Sequence, residues 1–223
     1  NFLFKNNFIN EEWNALNILL QNASSVGAID FGAMDYNDNN NFIFFENLNS
    51  KKYKIIYLLN SDNLNFKKEN EFIIYQGSHG DRGAEIADVI LPSPAYTEQN
   101  GLYSNTEGRV QECRKASYPT GSAKEDWKIF NLILKSIKNQ SIFNSEKDIR
   151  KELLKDIKNF SKIDELPKFS KFENFKNNNK FFEEEIKINK LDYYYTNAIS
   201  RSSKTMSDCR SIKNKELKKV TNY

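Results

Sequence analysis

Residues 75–109 read YQGSHGDRGAEIADVILPSPAYTEQNGLYSNTEGR. Gly, Pro and short polar residues concentrate here, whereas Asn, Lys, Ile and Phe crowd the sequence on either side, and the whole chain of 223 residues holds only 8 Gly and 4 Pro. The four crowded residue types all have A/T-rich codons. In a drifting, A/T-biased genome they accumulate at tolerant positions, so Gly, Pro, Ala, Asp and Arg persist where backbone or side-chain geometry requires them.

Outward from this run, residues 54–60 (KIIYLLN) and 71–75 (EFIIY) are near-continuous apolar stretches of strand length. That is the pattern of strands in a parallel sheet with both faces covered. The second is followed by the Gly-rich loop 77–83, a short Ala-Glu-Ile-Ala turn, and Val89-Ile90-Leu91 stopped by Pro92. A strand, loop, helix, strand order predicts an α/β layer with a mostly parallel sheet flanked by helices. Residues 102–105 and 110–113 flank Thr106-Glu107-Gly108-Arg109, which predicts a small hairpin outside the main sheet. The Asn-rich residues 36–41 read as a loop.

Three helices are expected. Asn10 can cap the first, with Glu11 and Glu12 favoured by the dipole and Trp13, Leu16, Leu20 and Ala23 on one face. Ser122-Ala123-Lys124-Glu125 is a capping box preceded by Pro119, and Trp127, Phe130, Ile133, Leu134 and Ile137 follow at helical spacing. The third spans 146–160, with Ile149, Leu153, Ile157 and Phe160 aligned. Beyond Pro167 the periodicity decays. Short aromatic clusters, Phe181-Phe182 and Tyr193-Tyr194-Tyr195, stand between charged Asn/Lys stretches, so the chain reads as an α/β body over 1–160 and an irregular tail over 161–223 that docks on a neighbour.

Composition narrows function. The 33 basic and 30 acidic residues give a net charge of +3 and are interspersed, without the clustered basic face of a nucleic-acid platform. Mean hydropathy is −0.72, and no apolar run approaches the roughly twenty residues that span a bilayer. The first ten residues lack a signal-peptide pattern, and without an initial Met an upstream start remains open. Cys113 and Cys209 form no CxxC or Cys/His spacing, so no zinc or iron–sulfur site is expected within the chain, and a reducing compartment suits them.

His79 is the only histidine, which removes Ser/His/Asp, Cys/His and two-His metal arrangements by count. Its loop, 77–83, can cradle a phosphate or pterin through backbone N–H groups, yet it lacks both the P-loop Lys-Ser/Thr and the GxGxxG spacing. The structural alternative has the glycines permitting a tight strand-to-helix turn while His79, Asp81 and Arg82 tie loops together. Arg109 is expected to fix carboxylates among Asp88, Glu98 and Glu107, in preference to paired acid/base work by those carboxylates. No catalytic residue and no metal ligand is therefore assigned.

Ala87-Asp88-Val89-Ile90-Leu91-Pro92, then Glu98, Gly101, Asn105 and Glu107-Gly108-Arg109, resemble the ADVxLP…E..G…N.EGR signature of molybdopterin-type oxidoreductases. The fuller run 75–109, with Gln111 and Glu125-Asp126-Trp127-Lys128-Ile129, looks like the large iron–sulfur subunit of respiratory complex I. Residues 13–30 are similar to the helix and loop preceding the signature there, and 194–209 (YYTNAISRSSKTMSDC) to that family's T..ISR.S.TM..C tail. Pro94 and Leu102 depart from the usual residues.

The resemblance implies a structural domain shaped like a molybdopterin enzyme. Its vestigial pterin cleft would be marked by His79, Asp81, Arg82, Asn105, Glu107 and Arg109. No cofactor is implied in this chain; iron–sulfur clusters belong to a Cys-rich half expected before Asn1, this chain being either a fragment of the whole subunit or, as favoured, one product of a split subunit. The implied partners are that half and other peripheral-arm subunits, with neither nucleic acid nor direct membrane insertion, on the matrix side of the mitochondrial inner membrane. The alternative is part of an active molybdopterin-dependent oxidoreductase.

Overall fold

The computed structural model describes residues 2–9, 13–20, 22–23, 25–33, 43–61, 64, 66–167 and 192–220. Helices α1 (Phe2–Lys5), α2 (Ser25–Asp30) and α3 (Ile43–Asn49) precede strands β1 (Ile55–Leu59) and β2 (Phe72–Gly77). Helix α4 (Arg82–Ile86) leads to β3 (Val89–Pro92), and β4 (Gly101–Ser104) and β5 (Val110–Cys113) follow. The chain then turns helical through α5 (Asp126–Lys138), α6 (Glu146–Asp156), α7 (Ala198–Ser202) and α8 (Lys204–Val220). Among the described residues no helix is long and apolar enough to cross a membrane.

Two compact units share these elements. One takes Lys51–Ala95, Pro119–Asp126 and the described part of 183–223, and holds the expected parallel sheet in the order β1-β2-β3. Ile56, Leu58, Ile73 and Tyr75 are buried on one sheet face, where Leu58, Tyr75 and Ile90 lie in register. Each such aliphatic side chain contributes roughly 1.5–3 kcal/mol through burial. Asp88 closes the start of the β2–β3 pair: its carboxylate accepts from Ile73 N–H at 2.8 Å, its own N–H donates to Ile73 O at 2.8 Å, and Lys68 lies 2.6 Å from it.

The Ile73 N–H, and then Lys68, hold the Asp88 carboxyl below its usual value of 3.8. Stability from a depressed carboxyl is present above the ordinary Asp range and is lost as pH falls through the lowered value. The stability gap between the protein and Asp88→Asn is therefore expected to shrink progressively below about pH 4, which thermal melts across an acid series would measure.

The other unit comprises Asn1–Ser50, Tyr96–Tyr118 and Trp127–Phe182, as far as these are described. Its β4–β5 hairpin is antiparallel, with Gly101 opposite Cys113 and Ser104 opposite Val110, as expected. Gly27, buried in α2, lies against Phe160 and the backbone of Ser104, and Phe160 meets Phe31 edge-on with ring centroids 5.2 Å apart.

Several expectations change. Residues 13–20 are not helical, and Trp13 is 64% exposed. Asn14 pairs with Ile9 in a β-bridge, Ala15 N–H bonds Phe8 O, and the Asn14 side chain accepts from Leu16 N–H at 2.9 Å. These bonds take the donors and acceptors that a helix would need; Asn10, Glu11 and Glu12 lie outside the described residues, as do 36–41 and Phe181-Phe182. Helix α5 starts at Asp126, four residues after Ser122, and Lys124 N–H, ahead of the helix, donates to Pro92 O at the end of β3. Its buried residue is Ile129, while Ile137 is 74% exposed.

Helix α6 is capped by Ser145, whose Oγ accepts from Asp148 N–H, and stops at Asp156, so Phe160 is buried from a following 3-10 turn. The irregularity expected of the tail does not extend over 192–220. There Asp192 caps a 3-10 turn of Tyr193–Tyr195, Asn197 and Ser200 form a capping box for α7, and α8 runs for 17 residues. Arg210 pairs with Asp192 and lies 4.5 Å from the Tyr195 ring centroid, and Lys213 lies over Tyr194. Caps and cation–π contacts hold this helix, so it shows no broad apolar stripe in the sequence.

Candidate functional site

The six residues singled out from the sequence fall into two groups, one in each unit. His79, Asp81 and Arg82 belong to the parallel-sheet unit, on the loop between β2 and α4. The ring of Tyr75 supports this loop from below. A Cβ at Gly77 would come within 2.3 Å of Tyr75 Oη, and one at Gly83 within 2.8 Å of the same ring and 2.9 Å of Ser61 O. Both glycines are thus required by a side chain of this chain. Gly80 faces open space.

Tyr75 Oη donates to His79 O at 2.7 Å, and Ser78 Oγ lies 2.9 Å from His79 Nδ1. Asp81 caps α4, accepting from Arg82 N–H at 2.9 Å through one oxygen, while its other oxygen accepts from Arg201 Nε at 2.8 Å. Arg201 sits on α7, within the ISR triplet.

At the carboxyl end of β2, the fully buried Gln76 uses both ends of its amide. Its Nε2 donates to Asp126 Oδ1 at 2.6 Å, and its Oε1 accepts from Tyr57 Oη. Burial, and then the Asp126 charge, push the Tyr57 phenol above its usual value. This buried polar chain fixes the first residue of α5 against the sheet and leaves Gln76 with no amide group directed at a ligand.

Asn105, Glu107 and Arg109 form the hairpin turn of the other unit. Asn105 Oδ1 accepts from Glu107 N–H at 3.0 Å and Arg109 N–H at 2.9 Å, while Gly108 N–H donates to Asn105 O. Gly108 adopts φ +80°, and a Cβ there would meet Pro167 Cγ at 2.9 Å. Only glycine meets both conditions without strain.

The carboxylate network expected around Arg109 is absent from its described contacts. Arg109 Nη1 donates to the carbonyl of Asp164 at 2.7 Å, and Asp164 N–H donates to Val110 O, so the guanidinium stitches residues 163–167 to the hairpin. Asp88 instead pairs with Lys68, and the Glu107 carboxylate lies 3.5 Å from the Asn105 amide. The ion pair with an evident anchoring role here is Arg150 with Glu112 at 2.6 Å, and Arg150 holds the Glu112 carboxyl below its usual value.

Tyr75, Gln76, Arg201 and the Asp164 carbonyl were not singled out from the sequence. Arg201 lies in the stretch that carries the tail resemblance, and Tyr75 and Gln76 open the 75–109 run that carries the other; the Asp164 carbonyl gives no local signal. Among the described residues no three His, Cys, Asp or Glu side chains converge as metal ligands.

A parallel sheet with an interposed short helix, a glycine loop beyond its central strand and a separate hairpin carrying the EGR turn make up a mixed α/β scaffold. The Molybdopterin oxidoreductase family model matches residues 1–136, and the chain belongs to that family. Residues 169–209 match the C-terminal model of the G subunit of NADH-ubiquinone oxidoreductase.

Among curated proteins, the chain is 39% identical to the G subunit of NADH-quinone oxidoreductase from Rickettsia felis, over 94% of this chain and 30% of that protein. It is 39% identical to the mitochondrial NADH-ubiquinone oxidoreductase 78 kDa subunit of Candida albicans, over 96% of this chain and 30% of that protein. It is also 39% identical to the NADH-ubiquinone oxidoreductase 75 kDa subunit of Reclinomonas americana, over 90% and 29%. The chain thus spans about 30% of the length of these relatives.

Proposed function

We propose that this chain is a non-catalytic scaffold segment of the peripheral arm of mitochondrial respiratory complex I. It supports NADH-to-ubiquinone electron transfer carried by iron–sulfur clusters outside this segment. Residues 161–223 dock on neighbouring subunits, and the assembly lies on the matrix side of the inner membrane. The names of the relatives support the complex; the state of the 77–83 loop supports the scaffold role. Its glycines make room for Tyr75, and Asp81 is engaged by Arg201, so one of the carboxylates that could meet a ligand there is already used within the chain.

Two measurements test this reading. On a native gel the chain is expected to co-migrate with NADH dehydrogenase activity; recovery only as a free monomer would refute it. Replacing Arg109 with Ala removes a charged donor from the Asp164 carbonyl, worth on the order of 1 kcal/mol. It is expected to lower the amount of assembled complex while turnover per assembled complex stays unchanged.

The family match favours one other reading, an active molybdopterin-dependent oxidoreductase. Molybdenum or tungsten together with pterin fluorescence in purified material would establish it in place of the scaffold.

A further inference from the structure

Loop 77–83 carries three glycines in seven residues, and ordering such a segment is entropically costly. Its inner limb is packed: Gly77 and Gly83 lie on Tyr75. Its outer limb is not, for a Cβ on Gly80 would have no neighbour within 4 Å, and Ser78 and Arg82 are exposed. Besides the bonds from Arg82, Ala84 and Glu85 N–H that tie Asp81 to the first turn of α4, three contacts reach that limb: Tyr75 Oη to His79 O, Ser78 to His79, and Arg201 to Asp81. The first two are local, and the third comes from 120 residues further along the chain.

The element presenting Arg201 is held by its own contacts. Asp192 caps the tyrosine turn and pairs with Arg210, Arg210 and Lys213 lie on Tyr195 and Tyr194, and the Asn197–Ser200 box fixes the first turn of α7. The Arg201 and Asp81 side chains are only 18% and 31% exposed, so the pair is partly withdrawn from solvent and its charge-assisted bond is stronger than a surface pair.

We propose that residues 192–220 form a latch on the 77–83 loop, with Arg201 as its finger and Asp81 as its catch. The Arg201 guanidinium, from 120 residues further along the chain, orders the outer limb of the loop. This inference holds whether the chain acts as a scaffold or in an active oxidoreductase.

Hydrogen–deuterium exchange on the full chain in its native assembly tests it. Asp81→Asn keeps an oxygen to cap α4 but loses the charge that Arg201 meets. Arg201→Ala and Asp81→Asn are each expected to speed exchange of amides 78–83 by about tenfold, the lower end for a charge-assisted bond. The double variant should exchange no faster than the faster single, because both substitutions open one latch. Protection of β2 and of α8 should be unchanged. Unaltered loop exchange in Arg201→Ala, or effects that multiply in the double variant, would overturn the latch. If Arg201→Ala also deprotects β2, Arg201→Lys decides: a rise confined to 78–83 supports the latch, and none refutes it.

Discussion

Replacing Tyr75 with Ala is expected to destabilise the parallel-sheet unit by roughly 3–5 kcal/mol, the range for removing a buried aromatic side chain. Tyr75 is 2% exposed, stands opposite Leu58 and Ile90, and fills the space that Gly77 and Gly83 leave open. Its loss would empty the core of the sheet and the floor of the loop together. Tyr75→Phe separates the two contributions: it keeps the ring and removes the bond to His79 O, for about 0.5–1.5 kcal/mol. Chemical denaturation would read both. A Tyr75→Ala effect no larger than that of Tyr75→Phe would mean that the ring is not the support assigned to it.

Phe160→Ala should have a comparable effect on the other unit, again roughly 3–5 kcal/mol. Phe160 is 1% exposed, meets Phe31 edge-on, and lies 3.8 Å from the position a Cβ would take on Gly27. Phe160→Leu retains much of the volume but not the ring edge, and should lose less, about 1–1.5 kcal/mol. The measurement is again the unfolding midpoint, read with a probe inside that unit such as Trp127. A loss below about 1 kcal/mol for Phe160→Ala would show that the site collapses around the missing ring.

The parts of this fold legible in the sequence were those whose stabilisation is local or periodic. Strands β1 and β2 announce themselves as apolar runs, and the face of Ile56, Leu58, Ile73 and Tyr75 is buried, but Ile55, Leu59 and Phe72 on the other face are exposed, so the full cover expected on both faces is not found. The hairpin shows in Gly108, where φ +80° admits little else. Helix α5 was readable from its spacing, but its start was not, since that depends on Pro92 and Gln76, 32 to 50 residues earlier in the chain. Residues 13–20 misled because an amphipathic pattern is only a preference, and the Asn14 side chain gives the backbone another set of bonds.

The candidate site divides in the same way. That the 77–83 loop and the EGR turn matter was visible in residue types that resist a biased composition. What each charged group holds was not visible. Asp81 finds its partner on α7 and Arg109 finds a carbonyl where a carboxylate was expected, and neither choice is encoded by neighbours in sequence. Long-range pairs of single residues leave no periodic trace.

The partition of the chain also bears on how it is made. Each compact unit is assembled from three separated stretches, so a ribosome releases the pieces of both in alternation. Neither has all its pieces until most of the polypeptide has emerged, and loop closure between distant pieces must precede the contacts that reward it. During synthesis β1 and β2 would wait with apolar faces exposed for the residues that complete their unit, a period in which such surface is open to aggregation.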